Sequence, residues 1–292
     1  MFGKKEKNGA GGGAAPGGGA PSSPKPDDDA ALRENMAGIS RTIIVLSGKG
    51  GVGKSTVAVN LASALAESGL RTGLLDIDIH GPSVPRLLGL EGQKVMGTAE
   101  GKLVPVEHPS GIKVVSVGFF LPGTDDAVIW RGPLKIGVIK QFLTDVLWGN
   151  LDYLVVDSPP GTGDEPLSIC QLVKDPYGAI IVTTPQDVAI IDVRKSISFC
   201  RQLNIPVLGV IENMSGFICP HCGRESKIFK SEGGKKMAED MGVPFLGSIP
   251  LEPAIVAGGD SGVPFHNLDS EAAPARTSFS RIVKTLTGGS HQ

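Results

Sequence analysis

A glycine-rich segment between a predicted strand and a predicted helix most constrains how this chain folds. Residues 42–56 read TIIVLSGKGGVGKST: a β-branched apolar run, then glycines, then a helix that begins at Lys54. Within it, residues 48–55 satisfy the GxxxxGK(S/T) pattern of a P-loop. Glycines let the backbone adopt positive φ and turn its N–H groups inward to bind an anion. The segment therefore predicts a site for the phosphates of a nucleotide.

The other residues of this loop have distinct predicted roles. Lys54 supplies a positive charge, the helix N-terminus adds its partial charge, and the Ser55 hydroxyl can ligate magnesium. Lys49 at the second position either only adds positive potential or marks a subclass. The loop resembles the deviant P-loop of the MinD, ParA and nitrogenase iron protein class, which implies that Lys49 reaches across a homodimer. The predicted nucleotide ligands in the loop are Gly48, Lys49, Gly50, Gly51, Val52, Gly53, Lys54, Ser55 and Thr56.

Composition predicts one α/β domain after a tail. Residues 1–38 are rich in Gly, Pro and Ala and offer too little apolar surface to offset the entropy of ordering, so we expect a disordered tail. We expect residues 39–288 to form a single P-loop ATPase domain and residues 289–292 to be a short second tail. The net charge of −2 argues against nucleic-acid partners, and no apolar run is long enough to span a membrane. The 4 cysteines form no disulfide framework, so we expect a cytoplasmic protein.

Two predicted strands end in aspartates on the side where a parallel sheet binds ligands. Residues 72–76 and 151–157 are short apolar runs that each finish with a carboxylate. We expect Asp76 and Asp157 to join Ser55 in the magnesium shell, with Asp157 acting through water because Mg²⁺ dehydrates reluctantly.

Three further residues are predicted to act on the nucleotide. Asp78 is expected to orient the attacking water, although it also suits a cap for the following turn. Gly161, in the proline- and glycine-rich loop at residues 158–164, is expected to present its N–H to the γ-phosphate. Asn213 follows a strand where this nucleotide-binding class places an asparagine against adenine, but it is also a common turn residue. The catalytic candidates are Lys49, Lys54 and Asp78.

Strand and helix patterns alternate along the rest of the chain. The fold class is therefore α/β: a P-loop NTPase three-layer sandwich with a mainly parallel sheet covered by helices on both faces. A hairpin beside the nucleotide site is expected at residues 103–106 and 112–117. Further strands are predicted at residues 178–183, 207–211 and 245–249, and helices at residues 54–68, 134–147, 187–203 and 270–286.

A CxxC pair, Cys219 and Cys222, lies in the predicted loop at residues 217–224. Two thiolates at that spacing can reach one metal centre, but tetrahedral zinc or an iron–sulfur cluster takes four ligands. Three interpretations stay open: a redox pair, a zinc site that uses His221 or a second chain, and a 4Fe–4S cluster that bridges two subunits. Cys170 and Cys200 fall in apolar helical patterns and are expected to be core residues.

Six segments carry a closer resemblance: residues 48–56, 76–85, 130–133, 151–165, 212–222 and 247–253. They read GKGGVGKST, DIDIHGPSVP, WRGP, LDYLVVDSPPGTGDE, ENMSGFICPHC and GSIPLEP, and in them the chain resembles the Mrp/ApbC family of iron–sulfur cluster carrier ATPases. The resemblance implies a homodimer with ATP and Mg²⁺ as cofactors. It also implies that Cys219 and Cys222 of both subunits hold a bridging 4Fe–4S cluster, obtained from cluster donors and passed to apo-proteins. An N-terminal four-cysteine cluster, found in some relatives, is not matched, since no cysteine precedes Cys170.

Two alternatives from other functional classes share the P-loop. A ParA/MinD-type positioning ATPase would act on DNA or membrane, but Arg281 and Lys284 are the only arginine and lysine in residues 278–292, which make a poor anchor. A metabolic ATPase with an intersubunit structural zinc would contain one zinc per two chains.

Overall fold

The computed structural model describes residues 26–120, 132–219, 221–222, 224–226, 228, 232–264 and 274–288. The predictions for the tail before residue 26, for Trp130 and Arg131, and for residues 289–292 lie outside these ranges. None of the helices within the ranges combines the length and the hydropathy needed to cross a bilayer.

Helices and strands alternate through the described chain. The helices are α1 (Pro26–Ala37), α2 (Lys54–Glu67), α3 (Val84–Leu87), α4 (Gly132–Thr144), α5 (Asp164–Leu172), α6 (Asp187–Gln202), α7 (Gly233–Asp240), α8 (Pro253–Ser261) and α9 (Pro274–Leu286). The strands are β1 (Thr42–Ser47), β2 (Thr72–Asp76), β3 (Met96–Gly97), β4 (Leu103–Val104), β5 (Val106–Glu107), β6 (Lys113–Ser116), β7 (Tyr153–Asp157), β8 (Gly178–Thr183), β9 (Val207–Ile218), β10 (Glu225–Ser226) and β11 (Phe245–Leu251). A 3₁₀ turn, Val117–Phe120, follows β6.

In the described ranges, 9 strands form one mainly parallel sheet. Its order is β10–β9–β8–β1–β7–β2–β6–β5, and β11 also pairs with β9. In the sheet, β2 lies on one side of β1 and β8 on the other, so the connection from β1 to β2 and the connection from β7 to β8 run in opposite directions. The loop after β1 therefore lies at a topological switch point, where such sheets bind ligands. The predicted hairpin is present as β5 and β6, which pair antiparallel, and β6 also joins the main sheet beside β2.

Apolar layers cover both faces of the sheet. Because side chains alternate along a strand, Ile43 packs on the face covered by α2 and α9, whereas Ile44 packs toward α4 and α5. A smaller cluster joins β8 and β9 to α6 and α7. Every residue of β1 and of β8 is buried, as expected of parallel strands covered on both faces. The α/β three-layer prediction is confirmed.

Helix α1 is a correction to the predicted tail. The sequence predicts disorder up to residue 38, but α1 forms from Pro26 and packs on α4. Leu32 is buried, and the Asn35 side-chain amide donates to the carbonyls of Leu143 at 2.7 Å and Val146 at 2.9 Å. The last carbonyls of a helix lack intrahelical partners, so Asn35 satisfies groups at the end of α4. Composition misses this helix because tertiary packing stabilises it.

Asn35→Ala is expected to lower the free energy of unfolding by about 1–3 kcal/mol, because two hydrogen bonds to carbonyl groups are lost. Urea unfolding measures this value. The matched control is Arg33→Ala, an exposed position on the same helix, which should change the free energy by less than about 0.5 kcal/mol. Equal urea midpoints for the two variants would contradict docking of α1 through Asn35.

Candidate nucleotide and cysteine sites

The P-loop joins β1 to α2 as predicted. Gly51 and Gly53 both have φ of 79°, a left-handed conformation that side chains rarely adopt. A Cβ on Gly53 would lie 2.3 Å from the Asn213 side-chain nitrogen, and a Cβ on Gly48 would lie 2.5 Å from the backbone of Asp192. These glycines therefore satisfy two requirements: backbone conformation, and close approach of neighbouring segments.

Lys54 lies at the centre of a buried charged cluster. Its Nζ is 2.6 Å from Asp157 Oδ1 and 3.6 Å from Asp78 Oδ2, and it donates to Ser55 Oγ at 3.2 Å. The Lys54 and Asp157 side chains are 6% and 0% exposed, so this is an ion pair shielded from solvent. The structure thus brings together four residues that the sequence places in one site, although they come from α2, β7 and the loop after β2.

Asp76 is fully buried beside this cluster. Its Oδ2 accepts a hydrogen bond from Ser116 Oγ at 2.8 Å, and its Oδ1 accepts one from the Asp78 N–H at 3.0 Å. Burial, with a further contribution from the Asp157 charge, raises the pKa of Asp76 to about 7. Ser116 is a site residue that the sequence analysis missed. It reaches Asp76 only because β2 and β6 pair in parallel with Asp76 opposite Ser116.

The donor set at the predicted magnesium site fits that ion. Asp76 and Asp157 lie opposite each other in the pairing of β2 with β7. Asp157 Oδ2 is buried and has no hydrogen-bond partner in the part of the chain that the structure describes. A buried carboxylate oxygen without a partner requires an explanation, and a second carboxylate with the Ser55 hydroxyl completes an oxygen set of the kind Mg²⁺ prefers. The assignment of Ser55, Asp76 and Asp157 as magnesium ligands stays a prediction.

Asp78 has the geometry for both roles that the sequence allows. Burial raises the pKa of its carboxyl group, while Lys54 opposes this effect. The backbone N–H groups of His80 and Gly81 donate to the carboxylate, which is the turn cap. The same carboxylate lies beside Lys54, as a water-orienting residue should. Its catalytic role stays a prediction.

Gly161 and Asn213 both contact the P-loop region directly. The Gly161 N–H donates to the Ser47 carbonyl at 2.7 Å, so the predicted contact with a γ-phosphate requires that this bond be exchanged. The Asn213 amide donates to the Val52 carbonyl at 2.9 Å. Asn213 lies inside β9, which continues to Ile218, and not after a strand that ends at residue 211 as predicted. An adenine contact by Asn213 stays a prediction.

Lys49 is held by its backbone, since the Ser47 hydroxyl donates to the Lys49 carbonyl at 3.0 Å. The Lys49 side chain is partly exposed at the surface of the loop. Its predicted contact with the nucleotide of a second subunit stays a prediction.

The CxxC pair lies at the turn between β9 and β10. Cys219 follows the last residue of β9, and its N–H donates to the Arg224 carbonyl at 3.0 Å. Cys222 is exposed, and the pKa of its thiol is lowered by hydrogen bonds. The largest contribution comes from the Arg224 backbone, and smaller ones come from the Arg224 side chain and from Cys219. A lowered pKa favours the thiolate, which is the form that binds metals. Pro220 and Gly223 of this motif lie outside the described residues.

The other two cysteines differ from this pair in reactivity. Cys170 and Cys200 are buried, and burial raises the pKa of their thiols to about 12 and about 11 respectively. Both are therefore unreactive core residues, as expected from the sequence. Across the described ranges, no three His, Cys, Asp or Glu side chains are arranged to hold a metal ion. A four-ligand centre on Cys219 and Cys222 thus needs ligands from beyond the described part of one chain.

Asp76→Asn is expected to stabilise the protein without magnesium and nucleotide more at about pH 8 than at about pH 5. The pKa of Asp76 is about 7 in the folded protein, against about 3.9 in an unfolded chain. Between these values the folded state binds more protons, so the Asp76 contribution lowers the free energy of unfolding as pH rises to about 7 and is constant above it. Asn does not titrate. Urea unfolding at both pH values measures the difference, and equal effects would contradict the raised pKa.

Comparison with known proteins gives a consistent set of relatives. Residues 38–287 match the family model described as ParA: NUBPL iron-transfer P-loop NTPase. The iron-sulfur cluster carrier protein of Methanocaldococcus jannaschii is 52% identical over 258 residues, which cover 88% of each protein. The cytosolic Fe-S cluster assembly factor CFD1 of Eremothecium gossypii is 52% identical over 230 residues, covering 76% of this chain and 82% of that protein.

Solved structures show the same fold. A nucleotide-binding protein from Archaeoglobus fulgidus, in complex with ADP and with cobalt, matches with a TM-score of 0.73 and 40% identity, over 85% of this chain and 94% of that chain. The cell division ATPase MinD of Pyrococcus furiosus matches with a TM-score of 0.63 and 24% identity, over 86% of this chain and 100% of that chain. At that identity, the second likeness concerns the fold alone.

Proposed function

The chain belongs to the NUBPL iron-transfer P-loop NTPase family, and from this premise we propose that it is an iron–sulfur cluster carrier driven by ATP. Its cargo is a 4Fe–4S cluster held between two copies of the chain. Donor proteins load the cluster, and apo-proteins receive it. The observation that carries this proposal is a CxxC pair at the end of the strand that contacts the P-loop, with Cys219 half-buried, Cys222 exposed and the pKa of Cys222 lowered.

One chain supplies only two of the four cluster ligands, and a second copy supplies the other two. Cys219 and Cys222 give two thiolates per chain, and a 4Fe–4S cluster takes four, so a two-fold axis through the cysteines satisfies the cluster. Lys49 of each copy reaches the nucleotide of the other, so the ATP-bound dimer and the cluster-bound dimer are the same assembly. Nucleotide affinity and cluster affinity are then linked.

Residues of the P-loop and of the strand ends around it perform the hydrolysis. The backbone N–H groups of residues 48–56 and the Lys54 ammonium bind the phosphates. Asn213 contacts the base, and its hydrogen bond to the Val52 carbonyl of the loop supports this role. Ser55, Asp76 and Asp157 would hold magnesium, which would neutralise charge on the phosphates. Asp78 orients the attacking water. Gly161 exchanges its bond with Ser47 for one with the γ-phosphate, which signals the nucleotide state to the loop before α5.

The name of the CFD1 relative supports a cytoplasmic location. We propose protein partners only, namely a second copy, cluster donors and apo-proteins, with neither nucleic acid nor membrane among them. The near-neutral net charge of −2 supports this.

Anaerobic reconstitution with iron and sulfide tests the cluster site. We expect about four iron and four sulfide per wild-type dimer. We expect none in Cys219→Ala/Cys222→Ala, which should still bind ATP with wild-type affinity because the P-loop is intact. The matched control, Cys200→Ala, removes a buried thiol and should retain the cluster.

Two results would contradict the assignment. One is stoichiometric iron and sulfide in the double variant. The other is a colourless wild-type dimer with one zinc, which would favour the structural-zinc alternative instead.

A further inference from the structure

One buried carboxylate joins the two ends of the segment that carries the cysteines. Glu212 is fully buried in β9. Its Oε1 accepts hydrogen bonds from Ser215 Oγ at 2.5 Å and from the Glu232 N–H at 3.2 Å. Its Oε2 accepts one from the Gly234 N–H at 2.6 Å. Ser215 precedes the cysteines, whereas Glu232 and Gly234 follow them, so one side chain fixes both the entry and the exit of the segment between them.

The start of α7 stabilises this buried charge. The first N–H groups of a helix lack intrahelical partners and carry partial positive charge, which favours an adjacent anion. A Cβ on Gly234 would lie 3.0 Å from Glu212 Oε2, so glycine there permits the close approach. Glu232, the residue before α7, has a left-handed backbone conformation with φ of 66°, and its N–H donates to Glu212. The position of α7 and the charge of Glu212 therefore depend on each other.

The next residue of β9 contacts the nucleotide loop on the opposite face of the sheet. Asn213 is buried, and its amide donates to the Val52 carbonyl at 2.9 Å. Successive strand residues point to opposite faces, so Glu212 points toward α7 while Asn213 points toward α2. Two adjacent residues thus connect the P-loop with the cysteine segment. Cys219, directly after the last residue of β9, lies at most about 20 Å further along the chain.

We propose that Glu212 is a positioning residue that transmits the state of the P-loop to Cys219 and Cys222. A shift of the loop on nucleotide binding moves β9 through Asn213. Glu212 moves with the strand and carries the entry and the exit of the cysteine segment together, so the two thiols change their exposure and spacing. This inference rests on the proposed function for the identity of the cargo, but its test does not require a cluster.

Thiol alkylation of the metal-free protein measures the transmission directly. Cys170 and Cys200 are buried and have raised pKa values, so iodoacetamide reports on Cys219 and Cys222. We expect ATP with magnesium to change the alkylation rate of the wild type by about 5-fold or more. In Glu212→Gln the rate should not respond to ATP, although ATP affinity is unchanged. Gln has the same shape, but its NH₂ group faces an N–H donor, so it cannot hold both ends.

A second buried glutamate provides the matched control. Glu252 is also buried and accepts the Ala275 N–H at 2.9 Å at the start of α9, away from the cysteine segment. Glu252→Gln should keep the full response to ATP. Ser215→Ala removes only one donor to Glu212 and should fold normally with a reduced response.

Each outcome decides between the alternatives. The inference is overturned if wild-type alkylation does not respond to ATP, or if Glu212→Gln responds as the wild type does. Should Glu212→Gln fail to fold, a full response in Ser215→Ala overturns it. A wild-type protein that responds to ATP but never holds iron and sulfide contradicts the proposed cargo and leaves the positioning role of Glu212 intact.

Discussion

Lys54→Met is expected to abolish ATP binding and also to destabilise the protein without its ligands. Loss of the ammonium removes charge-assisted contacts with phosphate, worth about 10- to 150-fold in affinity for each bond. It also leaves the Asp157 carboxylate, now 2.6 Å from Lys54 Nζ, buried without a counter-charge. Removing one partner of a buried ion pair costs about 3–5 kcal/mol of folding free energy. Fluorescent ATP titration and urea unfolding measure the two effects.

The double variant Lys54→Met/Asp157→Asn separates these effects. It removes the unpaired charge, so most of the lost folding free energy should return while ATP binding does not. Lys195→Met is the control for loss of a lysine, because Lys195 pairs with Asp192 at the surface at 3.2 Å and such pairs contribute about 0–1 kcal/mol. Wild-type ATP affinity in Lys54→Met would contradict the role of Lys54 in phosphate binding. A double variant as unstable as the single one would contradict its role as the counter-charge of Asp157.

Asp78→Asn is expected to slow hydrolysis by about 10²- to 10⁴-fold while ATP and magnesium still bind. Asn keeps an oxygen for the N–H groups of His80 and Gly81, so the turn is preserved, but it lacks the charge that orients and polarises the attacking water. Single-turnover hydrolysis at saturating ATP measures the rate. Asp157→Asn provides the contrast, since its main expected effect is weaker magnesium binding. Unchanged hydrolysis in Asp78→Asn would leave only the turn-capping role.

The predicted site residues that the structure brings together all lie in short contiguous motifs. The P-loop, the strand that ends in Asp76 and the strand that ends in Asp157 each combine a burial pattern with a functional residue a few positions away. The parallel sheet then brings the strand ends together without further information.

Contiguous motifs do not reveal residues whose role depends on strand pairing or on burial. Ser116 is 40 positions from Asp76, and only the register of β2 with β6 makes them neighbours. Glu212 belongs to a polar stretch that looks like a turn. However, β9 continues through it, because β11 and β10 pair with its later residues and stabilise extended backbone where propensity is low. Helix α1 is missed for a related reason, since its stability depends on contacts with α4 that composition does not reveal.

The central place of β1 in the sheet has a consequence for the order of synthesis. β1 leaves the ribosome before both of its neighbours, since β7 (Tyr153–Asp157) and β8 (Gly178–Thr183) are made more than a hundred residues later. Non-local strand pairing waits for the whole intervening chain. The nascent protein therefore carries an unformed phosphate loop until β8 has emerged, and the cysteines follow shortly afterwards. The growing chain thus completes its nucleotide site and adds its cysteine pair within one short interval of translation.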